Sequence, residues 1–490
     1  MANVRVKYVG GDGPFSEVAI TGKQQSWRKN DVGFVPAADS VLLLGSGLFV
    51  LASSIFQVDQ DVSDRHAEEH GVLSSMPFTK ALSVEYASPD NLVAQFPDGT
   101  WLGTDNTASG RFQGSYWFGT GAVTGLTKTE KTACRANALL NKAGASIGGL
   151  GVWGAWILPS GNFLFVVNGS GSKWYLYLAK NVSGTVTVGA NSPTLNDLKP
   201  VMEIGEKSGT HIAGVNALHK RSLCVATIAG STVLFFGEYN VASGRVPGST
   251  NDLVRLLKST DLGETWTTVI EWNTNGSTRQ VSHIHAVVQD PDTGLIHILC
   301  GDNVYGGQIR WDGVSAAPAA NTPIASFNGI AGWSALYDTV NPDFYRSGDM
   351  LFDGQKSGWL IDNFALNTSR LATKRGRIAS IPGKTFEQVY GHDPLIGLAV
   401  PGGFLWFSMF DKVNFPTCTR AFDVWYSTDM QSWTLIFSFP DYSSGTALKL
   451  FDVFLSVDNR LIVTAGTGVS SLVYGSVGGT MICNLNNAFA

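Results

Sequence analysis

The chain of 490 residues is lightly charged and rich in glycine. Charged residues make up 15% of it, and glycine occupies 56 positions. Lysine and arginine total 34 and aspartate and glutamate total 39, so the net charge is -5 and no basic field is present for nucleic acid. This composition favours strands and tight turns over solvated helices, and it excludes phosphate attraction as the main mode of binding.

The N-terminal residues alternate polar and apolar and lack the continuous apolar core of a signal peptide. The longest apolar run, residues 41–56, is interrupted by glycine and serine and is shorter than the ~20 residues that cross a bilayer. Among the widely spaced cysteines, Cys224 and Cys300 lie in apolar runs that predict buried free thiols. We therefore expect a protein made in a reducing cytoplasm, without membrane insertion.

Turn residues divide the first part of the chain into short apolar segments. Pro36 is placed to open a short helix that ends near Leu44, since proline is tolerated in a first turn. Residues 57–79 are rich in acidic side chains and poor in apolar ones, which predicts a linker after a β-rich domain of residues 1–56. The strands predicted within this domain cover residues 4–8, 17–20, 32–35 and 48–51.

From residue 80 to residue 490 one pattern recurs, in which an alternating apolar run, a turn of Gly, Asp or Asn, and a second run follow one another. Each such pair predicts a β-hairpin. Residues 132–143 are the one segment that predicts a helix of any length. A helix-poor array of strand pairs predicts a propeller or a solenoid. The clearest predicted hairpins cover residues 96–102, 155–167, 285–300 and 451–465.

One motif within this array is specific. Residues 259–266 have the pattern S-x-D-x-G-x-T-W, and a degenerate copy covers residues 427–433. The pattern resembles the Asp-box of sialidase-like β-propellers. The copies are 168 residues apart (427 − 259), which fits three blades of ~56 residues or four of ~42. The residues that match are Ser259, Asp261, Gly263, Thr265 and Trp266 in the first copy, and Ser427, Asp429 and Trp433 in the second.

The resemblance implies an all-β fold, with the N-terminal β-rich domain followed by a six- or seven-bladed sialidase-like propeller. It also implies a structural role for the motif, on a turn between the outer strands of a blade and away from the ligand face. The chemistry agrees, because such an Asp accepts backbone N–H bonds in its own turn, Gly takes a positive φ, and Trp packs between sheets.

The N-terminal domain resembles small domains of tailed-phage structural proteins. If the resemblance holds, residues 1–56 attach the propeller to a virion; the alternative is a β cap that packs on the main domain. The matching segments are residues 6–10, 20–22, 35–39 and 42–49.

Catalytic features of sialidases are weakly matched. The family has six blades and an early Arg-Ile-Pro motif that has no equivalent here, and seven blades would weaken the catalytic resemblance further. Arg279, Arg310 and Arg346 have the spread of the family's arginine triad, whereas Tyr390 near Glu387 resembles its nucleophile pair in composition alone. These comparisons favour a protein that is not an enzyme. An enzymatic alternative would be a glycoside hydrolase with two carboxylates ~5–9 Å apart.

The most distinctive polar cluster is Ser-His-Ile-His at residues 282–285, followed by Asp302. Alternation places His283 and His285 on one face of a strand, where two imidazoles could bind a metal or a sugar. In the alternative, one histidine is hydrogen-bonded in the propeller throat and the other packs between blades. No third ligand has tight spacing, so no metal and no cofactor are predicted. The candidate ligand-binding residues are His283, His285, Asp302, Arg310 and Arg346.

Together, the resemblances imply a phage virion protein on the head or tail that binds host-surface polysaccharide through its propeller. Residues 1–56 would contact other virion proteins, and several symmetric copies would gain avidity. Assembly would take place in the host cytoplasm, and nucleic acid is not an expected partner. One alternative is a polysaccharide depolymerase or exo-glycosidase of sialidase-like fold. Another is a purely structural tail or capsid decoration protein.

Overall fold

The structure is a computed structural model. No helix in the part of the chain that it describes is long and apolar enough to cross a membrane. The structure describes residues 3–8, 15–16, 26–27, 32–36, 49–51, 83–88, 91–104, 116–120, 127–130, 140–147, 152–168, 174–179, 200–204, 219–239, 253–273, 281, 283–301, 307–337, 347–352, 357–361, 370–374, 377–380, 393–400, 402–409, 420–428, 430, 434–440, 448–467 and 477–484.

In the N-terminal part, the described residues form two small antiparallel sheets. Their strands are β1 (Asn3–Tyr8), β2 (Phe15–Ser16), β3 (Ser26–Trp27), β4 (Val32–Pro36) and β5 (Phe49–Leu51). One sheet has the order β4-β1-β5, and β2 pairs with β3 in the other.

The strands predicted at residues 4–8, 32–35 and 48–51 correspond to β1, β4 and β5. Pro36 is the last residue of β4, where it pairs with Asn3. Its fixed φ suits an extended strand end as well as a helix start. The rest of the predicted helix, the strand at residues 17–20 and the linker at residues 57–79 lie outside the described residues.

Seven four-stranded antiparallel sheets, numbered 1 to 7 here, follow in the described chain. Sheet 1 contains β7 (Asn91–Gln95), β8 (Trp101–Thr104), β9 (Tyr116–Thr120) and β10 (Thr127–Glu130). Sheet 2 contains β11 (Val152–Ile157), β12 (Phe163–Asn168), β13 (Trp174–Ala179) and β14 (Met202–Ile204). Sheet 3 contains β15 (Leu223–Ile228), β16 (Ser231–Gly237), β17 (Leu253–Ser259) and β18 (Thr267–Asn273).

The next three sheets repeat this plan. Sheet 4 contains β19 (His283–Gln289), β20 (Ile296–Gly301), β21 (Gly307–Trp311) and β22 (Trp333–Leu336). Sheet 5 contains β23 (Ser347–Phe352), β24 (Ser357–Ile361), β25 (Arg370–Lys374) and β26 (Arg377–Ser380). Sheet 6 contains β27 (Asp393–Val400), β28 (Gly403–Met409), β29 (Arg420–Ser427) and β30 (Thr434–Pro440). Where the chain is described, short 3₁₀ helices cover His219–Ser222 and Ile324–Gly329.

Sheet 7 closes the ring. It contains β31 (Leu448–Leu455), β32 (Arg460–Thr467) and β33 (Val477–Asn484), and its fourth strand is β6 (Ser83–Ser88) from the start of the array. The first strands of neighbouring sheets contact one another, as β15 does β19 and β19 does β23, and β32 and β33 contact β7. The fold is therefore a seven-bladed β-propeller whose first strands surround the centre. The number of blades, seven, differs from the six of the sialidases.

Strand direction alternates within each sheet, so the propeller has two distinct ends. We call the end at which the first strands begin the upper end. The turns between first and second strands and between third and fourth strands lie at the opposite, lower end. All four predicted hairpins are present as pairs of first and second strands. Their turns contain the residues with positive φ that the sequence provides, such as Gly99, Gly294 and Asn459.

The helix predicted at residues 132–143 is wrong over its described part, residues 140–143. Leu140 forms a β-bridge with Ser146, and the Asn141 N–H donates to the Ala145 carbonyl at 2.8 Å. The Asn141 side chain in turn accepts the Ala145 N–H at 3.0 Å. Asparagine bonds to nearby backbone in this way and thereby favours a turn over a helix.

The core consists of apolar layers between neighbouring sheets. Between sheets 3 and 4, Trp311 and Trp333 stack with ring centroids 4.8 Å apart, and Phe235 meets Trp311 edge-on at 5.5 Å. Cys224 and Cys300 are buried in the same layer as free thiols, which confirms that prediction. Burial raises the pKa of Cys224 to about 12, so this thiol is inert as a nucleophile.

Residues 259–266 form the turn between the third and fourth strands of sheet 3, at the lower end. Asp261 accepts the backbone N–H of Thr265 at 2.9 Å and its hydroxyl at 2.6 Å, and the Ser259 hydroxyl at 2.8 Å. Trp266 packs edge-on against Phe236 at 6.1 Å. These side chains fix the turn and tie it to the layer between sheets 2 and 3. No reactive site is formed by them.

The degenerate copy takes the equivalent place in sheet 6, three blades along. Ser427 ends the third strand, and its hydroxyl accepts the N–H of Met430 at 2.8 Å. Met430 has φ 56° and Leu262 in the first copy has φ 58°, so the two turns share a left-handed residue. Asp429 and Trp433 lie outside the described residues.

Replacement of Asp261 by alanine is expected to lower the free energy of unfolding by about 1 kcal/mol, because three hydrogen bonds at an exposed turn are lost. Slight burial raises the pKa of Asp261, but the bonds from Thr265 and Ser259 outweigh it and lower the pKa below its ordinary value. This stabilisation is therefore present above the ordinary carboxyl pKa and is lost as the pH falls through the lowered one. Urea unfolding at pH 7 and pH 3 measures both effects; equal losses at the two pH values would contradict the account.

Candidate functional site

The upper end of the propeller is marked by β-bulges in the first strands. In six of the seven sheets the register of the first strand against the second skips one residue. Such bulges re-aim side chains and are frequent next to functional sites. The skipped residues are Val93, Trp153, His285, Gly348, Leu395 and Phe451.

The structure brings His283 and His285 together at the start of β19, with ring centroids 4.8 Å apart. Tyr239, which follows the second strand of sheet 3, stacks on His283 at 4.2 Å with 19° between the planes. The histidines are 3% and 2% exposed, whereas Tyr239 is half-buried. The three rings form one stack, called the ring stack below, of which Tyr239 is the accessible member.

Glycine at position 301 makes room for the ring stack. The imidazole of His285 lies so close to the backbone of Gly301 that a Cβ atom there would overlap the ring. Gly301 pairs with His283 at the end of β20. A side chain at this position would therefore displace His285.

Of the other predicted site residues, Arg310 is described, and it is not part of this cluster. Asp302 and Arg346 lie outside the described residues. Arg310 pairs with His297 on β20, four residues from Gly301, which is about 13 Å along the strand from the ring stack. Arg310 therefore belongs to the lower end. Among the residues that the structure describes, no group of three His, Cys, Asp or Glu could hold a metal ion.

A second group of charged residues links the 3₁₀ helix before sheet 3 to the first strand of sheet 5. Arg221, in the 3₁₀ helix His219–Ser222 before sheet 3, places its Nη2 2.7 Å from Asp349 Oδ2 on the first strand of sheet 5. It also donates to the carbonyl of Gly397 in sheet 6 at 2.7 Å, and the Gly397 N–H donates to the same Asp349 oxygen at 2.7 Å. The 3₁₀ helix is thus linked to sheets 5 and 6.

Asp349 is 0% exposed, and this burial dominates its electrostatics. Burial raises the pKa of Asp349 above its ordinary value, by more than Arg221 and the N–H groups of Gly397 and Met350 lower it. A buried carboxyl with a raised pKa is a recognised candidate for proton transfer. Asp452 on β31 takes the same place relative to its bulge, directly after the skipped residue.

A second buried ion pair, between Glu238 and Arg255, lies next to the ring stack. Glu238 precedes Tyr239 and is 0% exposed. Arg255 on β17 donates to it through Nε at 2.9 Å and through Nη2 at 2.6 Å, and the Arg255 backbone N–H donates to it at 3.1 Å. The Glu238 carbonyl in turn accepts the N–H of Ile284, between the two histidines, at 3.2 Å.

Sequence reasoning identified the histidines but missed Tyr239, Arg221, Asp349 and the Glu238–Arg255 pair. A signal was present for two of the carboxylates. Asp349 and Asp452 are single acidic residues inside otherwise apolar strands, in the segments SGDMLF and LKLFDVFL. A charge in such a place is almost never fully buried unless it has a partner.

The fold and this centre define a seven-bladed β-propeller with a polar interior at the upper end. No family model matches the chain, and no curated protein matches its sequence. The chain is similar in fold to an aldose sugar dehydrogenase from Streptomyces coelicolor in its PQQ-bound form (9% identity, 83% of this chain and 99% of that one, TM-score 0.36).

Two further solved structures have comparable similarity. One is the periplasmic gluconolactonase of Pseudomonas aeruginosa (12% identity, 81% of this chain and 99% of that one, TM-score 0.37). The other is an α-L-arabinanase of Penicillium chrysogenum in complex with arabinobiose (13% identity, 68% and 92%, TM-score 0.33). At identities and TM-scores this low, the similarities give no information on the chemistry of this chain.

Proposed function

We propose that the protein is a phage virion protein that is attached by residues 1–56 and binds a host-surface glycan at the upper end of its propeller. The observation that carries the binding function is the ring stack. Tyr239 is half-buried, and its ring plane is held by two buried imidazoles. Such a fixed aromatic ring offers an apolar face and a polar hydroxyl, and sugar rings have the matching apolar faces and polar edges.

The state of the buried carboxylates supports binding over hydrolysis. A glycosidase uses two carboxyl groups on either side of the bond to be cleaved, with room for substrate or water between them. In the described part of the centre, Asp349 is bonded to Arg221 and Glu238 to Arg255. Both carboxylates thus have structural partners of opposite charge, which favours a scaffold for binding.

The virion location rests on the phage-like pattern of the N-terminal segments and on the separate sheets that those segments form. The sheet β4-β1-β5 shares no strand with the seven propeller sheets. Attachment through this part would present several propellers in a symmetric array, and weak sites gain avidity when they are linked. Mass spectrometry of purified particles tests this half of the proposal, since absence of the chain from virions would contradict it.

The proposed binding of glycan is tested by replacing Tyr239. Tyr239→Ala is expected to weaken binding to host-envelope polysaccharide by about tenfold or more, because the stacking face is lost. Tyr239→Phe keeps the ring and is expected to lose less. Binding is measured with immobilised polysaccharide, and released oligosaccharides are scored in the same tube. Equal binding by wild type and Tyr239→Ala would remove the ring stack from the proposal, and no binding by wild type would favour a purely structural virion protein.

A second candidate function is polysaccharide depolymerisation by a glycoside hydrolase. It is favoured by the raised pKa of Asp349, a result of its burial, and by Asp452 at the equivalent position in sheet 7. If this function holds, wild type releases oligosaccharides and Asp349→Asn binds without release. Binding by wild type without release supports the adhesin instead.

A further inference from the structure

A second polar cluster lies between sheets 4 and 5, toward the lower end. Arg310 on β21 pairs with His297 on β20 and with Ser334 on β22. Directly paired residues point to the same side of a sheet, so these side chains share one face. That face meets sheet 5, because Gln308 donates to Met350 Sδ at 3.2 Å and the His297 ring lies 5.5 Å from that of Phe352.

The orientation of the Gln308 amide, whose nitrogen also donates to Met350 Sδ, assigns the tautomer of His297. Its Nδ1 is in contact with the Gln308 side-chain nitrogen, which is a donor, so Nδ1 acts as acceptor. The proton of the neutral ring is therefore on Nε2. This atom is buried and has no acceptor in the part of the chain that the structure describes.

Arg310 presents a second donor of the same kind. Its Nε is buried and has no acceptor among the described residues, and no described carboxylate forms an ion pair with its guanidinium. The residue is half-buried, so solvent reaches part of it. Buried donors are satisfied in the large majority of cases. Two neighbouring exceptions, one of them on the positively charged Arg310, therefore point to an acceptor that a ligand supplies.

We propose that this cluster, called the Arg310 site, binds a monoanionic carboxylate that accepts hydrogen bonds from Arg310 Nε and His297 Nε2. The planar guanidinium matches a carboxylate in shape. The site has one positive charge, so a monoanion neutralises it, whereas sulfate or phosphate would bring surplus negative charge into a partly desolvated place.

The protonation of His297 agrees with this charge count. Burial, and then the charge of Arg310, lower the pKa of His297 to about 3. The ring is therefore neutral at pH 7, as its bond from Gln308 also requires. Arg310 supplies the whole positive charge.

The Arg310 site is independent of the proposed glycan site, because it lies on another layer and toward the other end of the sheets. Its carboxylate has two possible sources, a small free acid or a uronate unit of a polysaccharide. Both sources present a carboxylate to Arg310, and they differ in the rest of the molecule that carries this carboxylate.

Calorimetric titration of the full-length protein at pH 7 separates these cases. The probes are sodium acetate, sodium D-glucuronate, D-glucose as the neutral counterpart, and sodium sulfate. Acetate or glucuronate is expected to bind at one site per chain, glucose to give no signal, and sulfate to bind at least about tenfold more weakly. Equal affinity for the two carboxylates indicates a small free acid, and tighter glucuronate indicates a uronate unit.

Arg310→Gln is expected to weaken carboxylate binding at least about tenfold, since the charge and the paired donors are lost. Arg460→Gln is the matched control, because Arg460 already binds Asp458 at 3.0 Å near the lower turn of sheet 7. If Arg310→Gln does not fold, Arg310→Lys keeps the charge but removes the Nε donor, and a several-fold loss is expected. The proposal is overturned if wild type binds neither carboxylate, if the Arg310 variants bind as wild type does, or if sulfate binds as tightly.

Discussion

Replacement of Asp349 by alanine is expected to lower the free energy of unfolding by about 3–5 kcal/mol, the usual effect of removing one partner of a buried ion pair, and toward the lower end of that range because the Arg221 side chain is 22% exposed. Arg221 would lose its carboxylate 2.7 Å away, and the Gly397 N–H would lose its acceptor. Because these groups belong to the 3₁₀ helix before sheet 3 and to sheets 5 and 6, the loss should weaken contacts between separate parts of the ring. Equilibrium unfolding in urea, which does not screen charge, is the appropriate measurement.

The control is Asp349→Asn, which keeps an oxygen for Gly397 and removes the charge. Burial raises the pKa of Asp349, so the folded chain holds its proton more tightly than the unfolded chain does. The contribution of Asp349 to the stability of wild type therefore falls as the pH rises above about 3.9, the ordinary carboxyl pKa, toward the raised one. The asparagine variant has no such dependence, and its deficit relative to wild type should shrink from pH 4 to pH 7. A deficit that grows with pH would show that the pair with Arg221 dominates.

Much of the propeller could be predicted from the sequence because its hairpins are local. The turn at Asp98 and Gly99 joins β7 and β8 within the short segment of residues 91–104. Alternation and turn chemistry act over this range, and both are visible in the residues themselves. The number of blades could not be predicted in this way, because it depends on the pairing of β6 with β33. This pairing joins the two ends of the array and leaves no local signal in the sequence.

The centre could be predicted only in part, for the same reason. His283 and His285 are two residues apart in one strand, so alternation predicted that they share a face. Tyr239 joins them from the preceding sheet, and Arg221 reaches Asp349 over more than a hundred residues. The bulge at His285 also breaks the simple alternation on which a sequence argument depends.

Replacement of Glu238 by alanine is the second large expected effect, also about 3–5 kcal/mol of unfolding free energy. Arg255 is 8% exposed and would keep a buried positive charge without its two carboxylate bonds. The double variant Glu238→Leu with Arg255→Met replaces the pair by apolar groups and is expected to return to within about 1–2 kcal/mol of wild type. A double variant as unstable as Glu238→Ala would mean that packing at Glu238, and not the unpaired charge, sets the loss.

The affinity for glycan should not rank these variants in the same order as their stability does. Glu238 is next to Tyr239, and its carbonyl holds the Ile284 N–H between the two histidines, so its backbone positions the ring stack. The double variant can restore stability and keeps the bond from the Glu238 N–H to the Arg255 carbonyl at 3.0 Å, yet it lacks the bonds of the Glu238 carboxylate that add to it. We therefore expect its affinity for host-envelope polysaccharide to stay several-fold below that of wild type at a temperature where both are folded. Recovery of full affinity together with stability would show that the ion pair acts on the fold alone and that Tyr239 is positioned by the histidines.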